Sequence, residues 1–239
     1  MAMTGWVSKL GSAALGLALV LALAIGVRTM VFGQAGLGQQ TRTEKLPAPL
    51  VDEHSGAHTE TAVFAGGCFW GVQTTFQRIK GVTATTAGYS GGTKETANYR
   101  AVSSETTDHA ESVEVVFDPQ RISYGTLLRV FFSVVHDPTQ LNRQGNDIGT
   151  SYRSVIFYTT PEQEKIATAY ISQLDAAKVF PKKIVTQVTP LKAFYNAEEY
   201  HQDYAEKNPN NPYIQYCDVP KIAALKEQFP ELFQDYKHK

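Results

Sequence analysis

Thr61-Ala62-Val63-Phe64-Ala65-Gly66-Gly67-Cys68-Phe69-Trp70-Gly71-Val72-Gln73-Thr74-Thr75-Phe76-Gln77-Arg78-Ile79 changes its hydrophobic period half-way along. Residues 61–65 form a short β-like run that Gly66-Gly67 ends. Beyond Cys68, the residues Phe69, Val72, Phe76 and Ile79 recur at steps of 3, 4 and 3, which is one face of a helix. Cys68 is thereby placed at a strand-to-helix junction, in the first turn. A thiol there meets unpaired backbone N–H groups and the positive end of the helix dipole, both of which favour thiolate. The two glycines let the backbone turn sharply and approach a ligand closely. A lone cysteine is more often buried and inert, but the Gly-Gly approach and the adjacent Phe69-Trp70 pair favour a reactive thiol here.

Outward from this stretch, strands and helices alternate. Residues 82–89 read as a strand closed by Ser90-Gly91-Gly92, and residues 113–117 as another stopped by Asp118-Pro119. Ser123 is placed to cap a helix carrying Leu127, Leu128, Phe131, Val134 and Val135, which ends near His136-Asp137-Pro138. Residues 154–158 form a strand, and Thr160-Pro161-Glu162-Gln163 opens a helix to about Lys178. A strand is expected over 184–189. Asn196 with Glu199 is expected to cap a helical segment through Lys207, and residues 220–229 read as helix. Residues 90–111 and 137–152 are two long polar loops containing glycine, and loops of that length in a compact domain are usually functional. The pattern is that of a two-layer α+β sandwich.

Composition limits what such a domain does. The chain has 239 residues, 43% hydrophobic and 19% charged, with 22 basic against 23 acidic residues. A net charge of -1 gives no electrostatic reason for a nucleic-acid partner or a polybasic membrane contact. Two cysteines exclude a disulfide scaffold and a four-thiolate zinc site. Residues 10–27 carry no charge and are flanked by Lys9 and Arg28. That run is at the lower edge for crossing a ~30 Å hydrocarbon core and longer than most signal-peptide cores. Gly33-Gln34-Ala35 suits a signal peptidase. Residues 1–35 are therefore a signal peptide or an uncleaved apolar helix that anchors the chain, and on either reading the rest is exported, periplasmic or membrane-anchored. Residues 36–60 read as a flexible linker, and the domain occupies 61–239.

Gly66-Gly67-Cys68-Phe69-Trp70-Gly71 resembles the active-site motif of the A-type peptide methionine sulfoxide reductases. From about residue 61 to 208 the family's other stations follow in order. They are Ala87-Gly88-Tyr89-Ser90-Gly91-Gly92, Asn98-Tyr99-Arg100, Asp108-His109-Ala110-Glu111, Phe117-Asp118-Pro119, His136-Asp137-Pro138, Gln144-Gly145-Asn146-Asp147, Gly149-Thr150-Ser151-Tyr152-Arg153-Ser154 and His201-Gln202-Asp203-Tyr204. The resemblance implies a ferredoxin-like α+β core and thiol-dependent reduction of the S-epimer of methionine sulfoxide, free or in proteins, without cofactor or metal. Cys68 would be the nucleophile. A sulfoxide oxygen leaves poorly unless protonated, and Glu111 matches the family's acid. Tyr99 and Tyr152 match tyrosines that hydrogen-bond the oxygen. Phe69 and Trp70 match the pocket for the S-methyl group, and Asp147 an aspartate that orders the site through water.

After attack, Cys68 is left as a sulfenic acid, which a second thiol condenses to a disulfide. Cys217 is the only other cysteine. Many family members carry resolving cysteines in a glycine-rich tail, whereas residues 208–220 here contain no glycine. Cys217 therefore stands as either resolving thiol or buried bystander. In the second case a thioredoxin-like partner must reduce the sulfenic acid directly. His109 and His201 read as structural hydrogen-bonders. Two other readings remain: a cysteine hydrolase using either histidine as base, and a non-catalytic domain that holds methionine peptides. A monomer is expected.

Overall fold

The computed structural model describes residues 45–52 and 56–236. β1 (Glu60–Ala65) turns Ala62 and Phe64 to one side and Val63 and Ala65 to the other, the alternation of a strand covered on both faces. It is followed by α1 (Phe69–Gln77), β2 (Val82–Ser90), the short α2 (Tyr99–Val102) and β3 (Ala110–Phe117). α3 (Tyr124–Val130) is capped by Ser123, whose side chain accepts the Thr126 N–H, and runs on into a π-helical turn at Phe131–Val135. A small hairpin of β4 (Arg143–Gln144) and β5 (Asp147–Ile148) precedes β6 (Val155–Tyr158), α4 (Pro161–Ala176), β7 (Gln187–Pro190) and β8 (Phe194–Asn196). Then come α5 (Tyr204–Lys207), a second π-helical turn at Ile214–Asp218 and α6 (Val219–Gln228).

The main sheet has the order β7-β6-β1-β3-β2-β8, antiparallel except for the β6–β7 pair. Its four central strands, with α1 and α3 between them in sequence, follow the β-α-β-β-α-β connectivity of a ferredoxin-like unit. The helices close the principal core on one face. There Phe64 of β1 stacks on Phe76 of α1 and on Phe131, each at 5.0 Å between ring centroids. The opposite face carries a smaller cluster of Val63, Ala65, Ala110, Val155 and Phe157, covered by Leu191 and Phe194.

Three expectations change. The part of the expected linker that is described, residues 45–52, is docked on the domain. Leu46 is 2% exposed within the core, and its carbonyl accepts from Arg129 Nε at 2.6 Å. Tyr170 and Gln173 of α4 hydrogen-bond Pro47 and Ala48, and Asp52 accepts the Gly125 N–H at the start of α3. A carboxylate is favoured there by the helix dipole. The strand expected over 184–189 lies at Gln187–Pro190, set by pairing with β6. The helix expected from Asn196 to Lys207 breaks into a 3-10 turn at Glu199–His201 and α5, because Asp203 is left-handed at φ 56. That break lets the Gln202 amide bond both backbone groups of Ala87, extending the edge of β2 where β8 stops. Residues 1–35, with the apolar run, lie outside the described residues. Among the described residues no helix is long and apolar enough to cross a membrane.

Candidate active site

The C-terminal end of β1 feeds α1 through Gly66 and Gly67. Gly67 has φ 91, and a Cβ on it would come within 2.7 Å of the Gln144 side chain, so conformation and space both require glycine. Cys68 follows as the N-cap residue of α1 and is 8% exposed. Because β3 lies beside β1, Glu111 near its start reaches the first turn of α1, where Oε2 accepts the Phe69 N–H at 3.0 Å. At 3% exposure, Glu111 is pushed up to about 8 by burial, with the Phe69 N–H acting against it and Asp147 adding to it. Its carboxyl thus holds a proton at neutral pH. Burial, followed by the neighbouring Glu111 and Asp218 carboxyls, also pushes the Cys68 thiol well up, against the Trp70 N–H. This corrects the thiolate expected from the helix terminus. The Phe69 N–H serves Glu111, so that donor of the first turn is not free for the sulfur that was expected to use it.

Aromatic rings form the rest of the site. Trp70 stacks on Tyr204 at 3.7 Å and meets Tyr213 edge-on at 5.8 Å. Its indole N–H donates to His201 Nδ1 at 3.2 Å, so the imidazole proton is on Nε2, a buried atom with no hydrogen-bond partner in the structure. The His201 ring packs against Phe69 at 5.0 Å and Tyr99 at 4.6 Å. Tyr99 is positioned through its backbone, whose N–H donates to Glu198. Tyr152 ends a 3-10 turn that Glu105 pins by accepting from the Ser151 N–H and hydroxyl. The phenols of Tyr99 and Tyr152 are both held above their ordinary value, first by burial and next by Glu111 and Cys68. Asp147 Oδ2 accepts from the Tyr213 hydroxyl at 2.6 Å. The family model described as peptide methionine sulfoxide reductase matches residues 60–232, the span that carries all these groups.

The chain belongs to the peptide methionine sulfoxide reductase family. It is 54% identical over 185 residues to peptide methionine sulfoxide reductase MsrA 2 of Mesorhizobium japonicum, covering 77% of this chain and 95% of that one. The MsrA 2 of Synechocystis sp. is 52% identical, covering 78% and 89%. Among solved structures, reduced Mxr1 from Saccharomyces cerevisiae matches with a TM-score of 0.60 and 32% identity, over 68% of this chain and 92% of that one. Methionine sulfoxide reductase A of Corynebacterium diphtheriae gives 0.55 and 35%, over 72% and 87%.

The enzyme brings Cys68, Phe69, Trp70, Tyr99, Glu111, Asp147 and Tyr152 to one site, although they come from β3, α1, α2, β5 and a 3-10 turn. Cys217 is half-buried in the second π-helical turn, and both cysteines are free thiols. His109 is committed to structure, with its ring nitrogens at the Gly92 N–H and the Thr93 carbonyl. With His201 tied to Trp70, neither imidazole is paired with the thiol as a hydrolase base would be. Sequence reasoning missed Tyr213 and Asp218, which sit in a segment without hydrophobic period, and Lys221 in the helix expected over 220–229. His201, read as structural, is also part of the aromatic wall. Among the described residues no group of three or more His, Cys, Asp or Glu is disposed to hold a metal.

Proposed function

We propose that the enzyme reduces the S-epimer of methionine sulfoxide, free or within proteins, using Cys68 as nucleophile and Glu111 as proton donor. The observation that carries this is a buried, protonated Glu111 carboxyl fixed to the first turn of α1 beside a buried thiol. Glu111 gives its proton to the sulfoxide oxygen, which makes the substrate sulfur electrophilic. The resulting carboxylate takes the Cys68 proton as Cys68 Sγ attacks that sulfur. Tyr99 and Tyr152 donate to the departing oxygen. The S–S bond formed in the attack then breaks as the hydroxyl passes from the substrate sulfur to Cys68 Sγ, so methionine leaves, Cys68 becomes a sulfenic acid, and one thiol and one sulfoxide become one sulfenic acid and one thioether. Phe69 and Trp70 receive the S-methyl group, where sulfur–aromatic contact is favourable. Asp147, oriented by Tyr213, orders the polar side of the pocket.

Cys217 is the first thiol to meet the sulfenic acid on this reading, because its own turn of helix carries two residues that border the site, Tyr213 before it and Asp218 after it. An external dithiol of thioredoxin type then returns both sulfurs to thiols. The uncharged run at 10–27 supports an exported setting, in which the enzyme repairs oxidised exported proteins.

Turnover of the two sulfoxide epimers with excess dithiol tests the reading, wild type beside Cys68→Ser. Loss of the S-epimer alone, abolished in the variant, supports it; no turnover by folded wild type overturns it. One turnover without dithiol should leave a Cys68–Cys217 disulfide on non-reducing mass analysis. Sulfenic acid persisting on Cys68 would assign reduction to the external thiol instead.

A further inference from the structure

The reaction scheme gives Glu105 no part, yet its backbone is left-handed at φ 59. A glutamate rarely adopts that conformation and keeps it only where its surroundings enforce it. Here the enforcement comes from bonds that cross between two loops. Glu105 lies in the loop of residues 90–111, and its carboxylate reaches the loop of residues 137–152. Oε2 accepts the Ser151 N–H at 2.9 Å and the Thr150 hydroxyl at 3.4 Å, and Oε1 accepts the Ser151 hydroxyl at 2.5 Å. Gly149 has φ 148, and a Cβ on it would run into the Glu105 carboxylate, so the close approach requires glycine. Arg153 returns the tie from the second loop to the first. Its guanidinium donates to the carbonyls of Asp108 at 2.7 Å and His109 at 3.0 Å, and to the Thr150 carbonyl at 2.8 Å. Each loop thus gives a charged side chain to the other's backbone, and charge-assisted bonds are the stronger kind.

Tyr152 sits between the two ties, with Ser151 before it and Arg153 after it. Glu111 is held by the ladder of β3, two residues beyond His109. Tyr152 has no such support, because its 3-10 turn spans only Thr150–Tyr152 and short turns of this kind hold themselves weakly. We propose that Glu105 is a positioning residue. With Arg153 it clamps the turn carrying Tyr152 onto the loop that leads into β3, and so fixes the reach of the Tyr152 phenol to the oxygen that Glu111 protonates. A donor that stabilises charge appearing only in the transition state depends steeply on its placement. The clamp therefore acts on the chemical step and not on substrate affinity.

This role rests on the reaction proposed above, and the test separates the two. Methionine formation from the S-sulfoxide is followed in a single turnover of the full chain without dithiol, giving a maximal rate and a half-saturating concentration. Wild type is compared with Glu105→Gly and Ser151→Ala, each also combined with Tyr152→Phe and with Tyr99→Phe. Glycine accepts the left-handed backbone freely, so Glu105→Gly removes the clamp without adding strain. The expected result is an about tenfold slower maximal rate, half-saturation within about twofold of wild type, and faster amide exchange at residue 151. Ser151→Ala keeps the charge of Glu105, which also acts on Glu111, so a slower rate there belongs to geometry. It serves as well if Glu105→Gly does not fold. Beside Tyr152→Phe neither change should slow the reaction further, whereas beside Tyr99→Phe each should have its full effect. Equal slowing on both backgrounds, or an unchanged rate in either folded variant, overturns the clamp. A full rate in Tyr152→Phe itself overturns that residue's part in the reaction and the proposal with it. Turnover by Cys68→Ser would instead reject the nucleophile and leave the coupling of Glu105 to Tyr152 standing.

Discussion

Glu111 trades stability for chemistry. An unfolded glutamate titrates near 4.5, whereas burial raises the folded group to about 8. Between those values the unfolded chain has lost the proton and the folded chain keeps it, so stability falls as pH rises through this window. Glu111→Gln keeps the shape and removes the titration. Its thermal midpoint, relative to wild type, should therefore climb from pH 5 to pH 8, while turnover drops by about 10²-fold or more. Parallel thermal melts across pH check the first part and steady-state assays the second. His136 acts at the other end of the range. Its ring is buried between the Phe131 carbonyl and the Ser154 hydroxyl and is pushed down to about 4 by desolvation. As pH falls from about 6.5 to 4 the unfolded histidine binds a proton that the folded one refuses, costing roughly 3 kcal/mol. His136→Gln should flatten the acid limb of the stability curve, and a limb as steep as wild type's would argue against this account.

At the scale of elements, the docked stretch 45–52 makes a sharp prediction. Leu46→Ala should destabilise the protein by about 2–5 kcal/mol in denaturant titration, as a core leucine does, whereas a free linker would show no change. The sequence could not reveal this burial. A Pro-rich stretch whose two leucines, Leu46 and Leu50, differ in no local way has no period, and only the surface between α3 and α4 makes Leu46 a core residue while Leu50 stays exposed. The helix–strand pattern around Cys68 was legible because Phe69, Val72 and Phe76 keep one face through the nine residues of α1, with Ile79 buried just beyond its end. The break at Asp203 was not, since the left-handed turn answers to the vacant edge of β2 and to Gln77, whose amide donates to the Asp203 carboxylate. Glu111 by itself carries no local sign of burial. Its burial follows from the register of β3 against β1, which no local pattern encodes. Tyr213 and Asp218 were invisible for the same reason.

For the whole molecule, the core that joins the sheet to its helices is the origin of the site's geometry. Phe64 stacks on Phe76 and Phe131 within it, so Phe64→Ala should cost about 3–5 kcal/mol and loosen the turn that carries Cys68. Equilibrium unfolding measures the first effect, and faster amide exchange at Phe69 the second. The docking of residues 45–52 also decides where the chain can be cut. Trimmed to residue 45, the domain keeps its core leucine and the carboxylate at the start of α3; trimmed past residue 52 it loses both, together with the Lys45–Glu231 pair that ties this stretch to the far end of the domain. A boundary drawn at the first strand therefore leaves part of the folding unit behind.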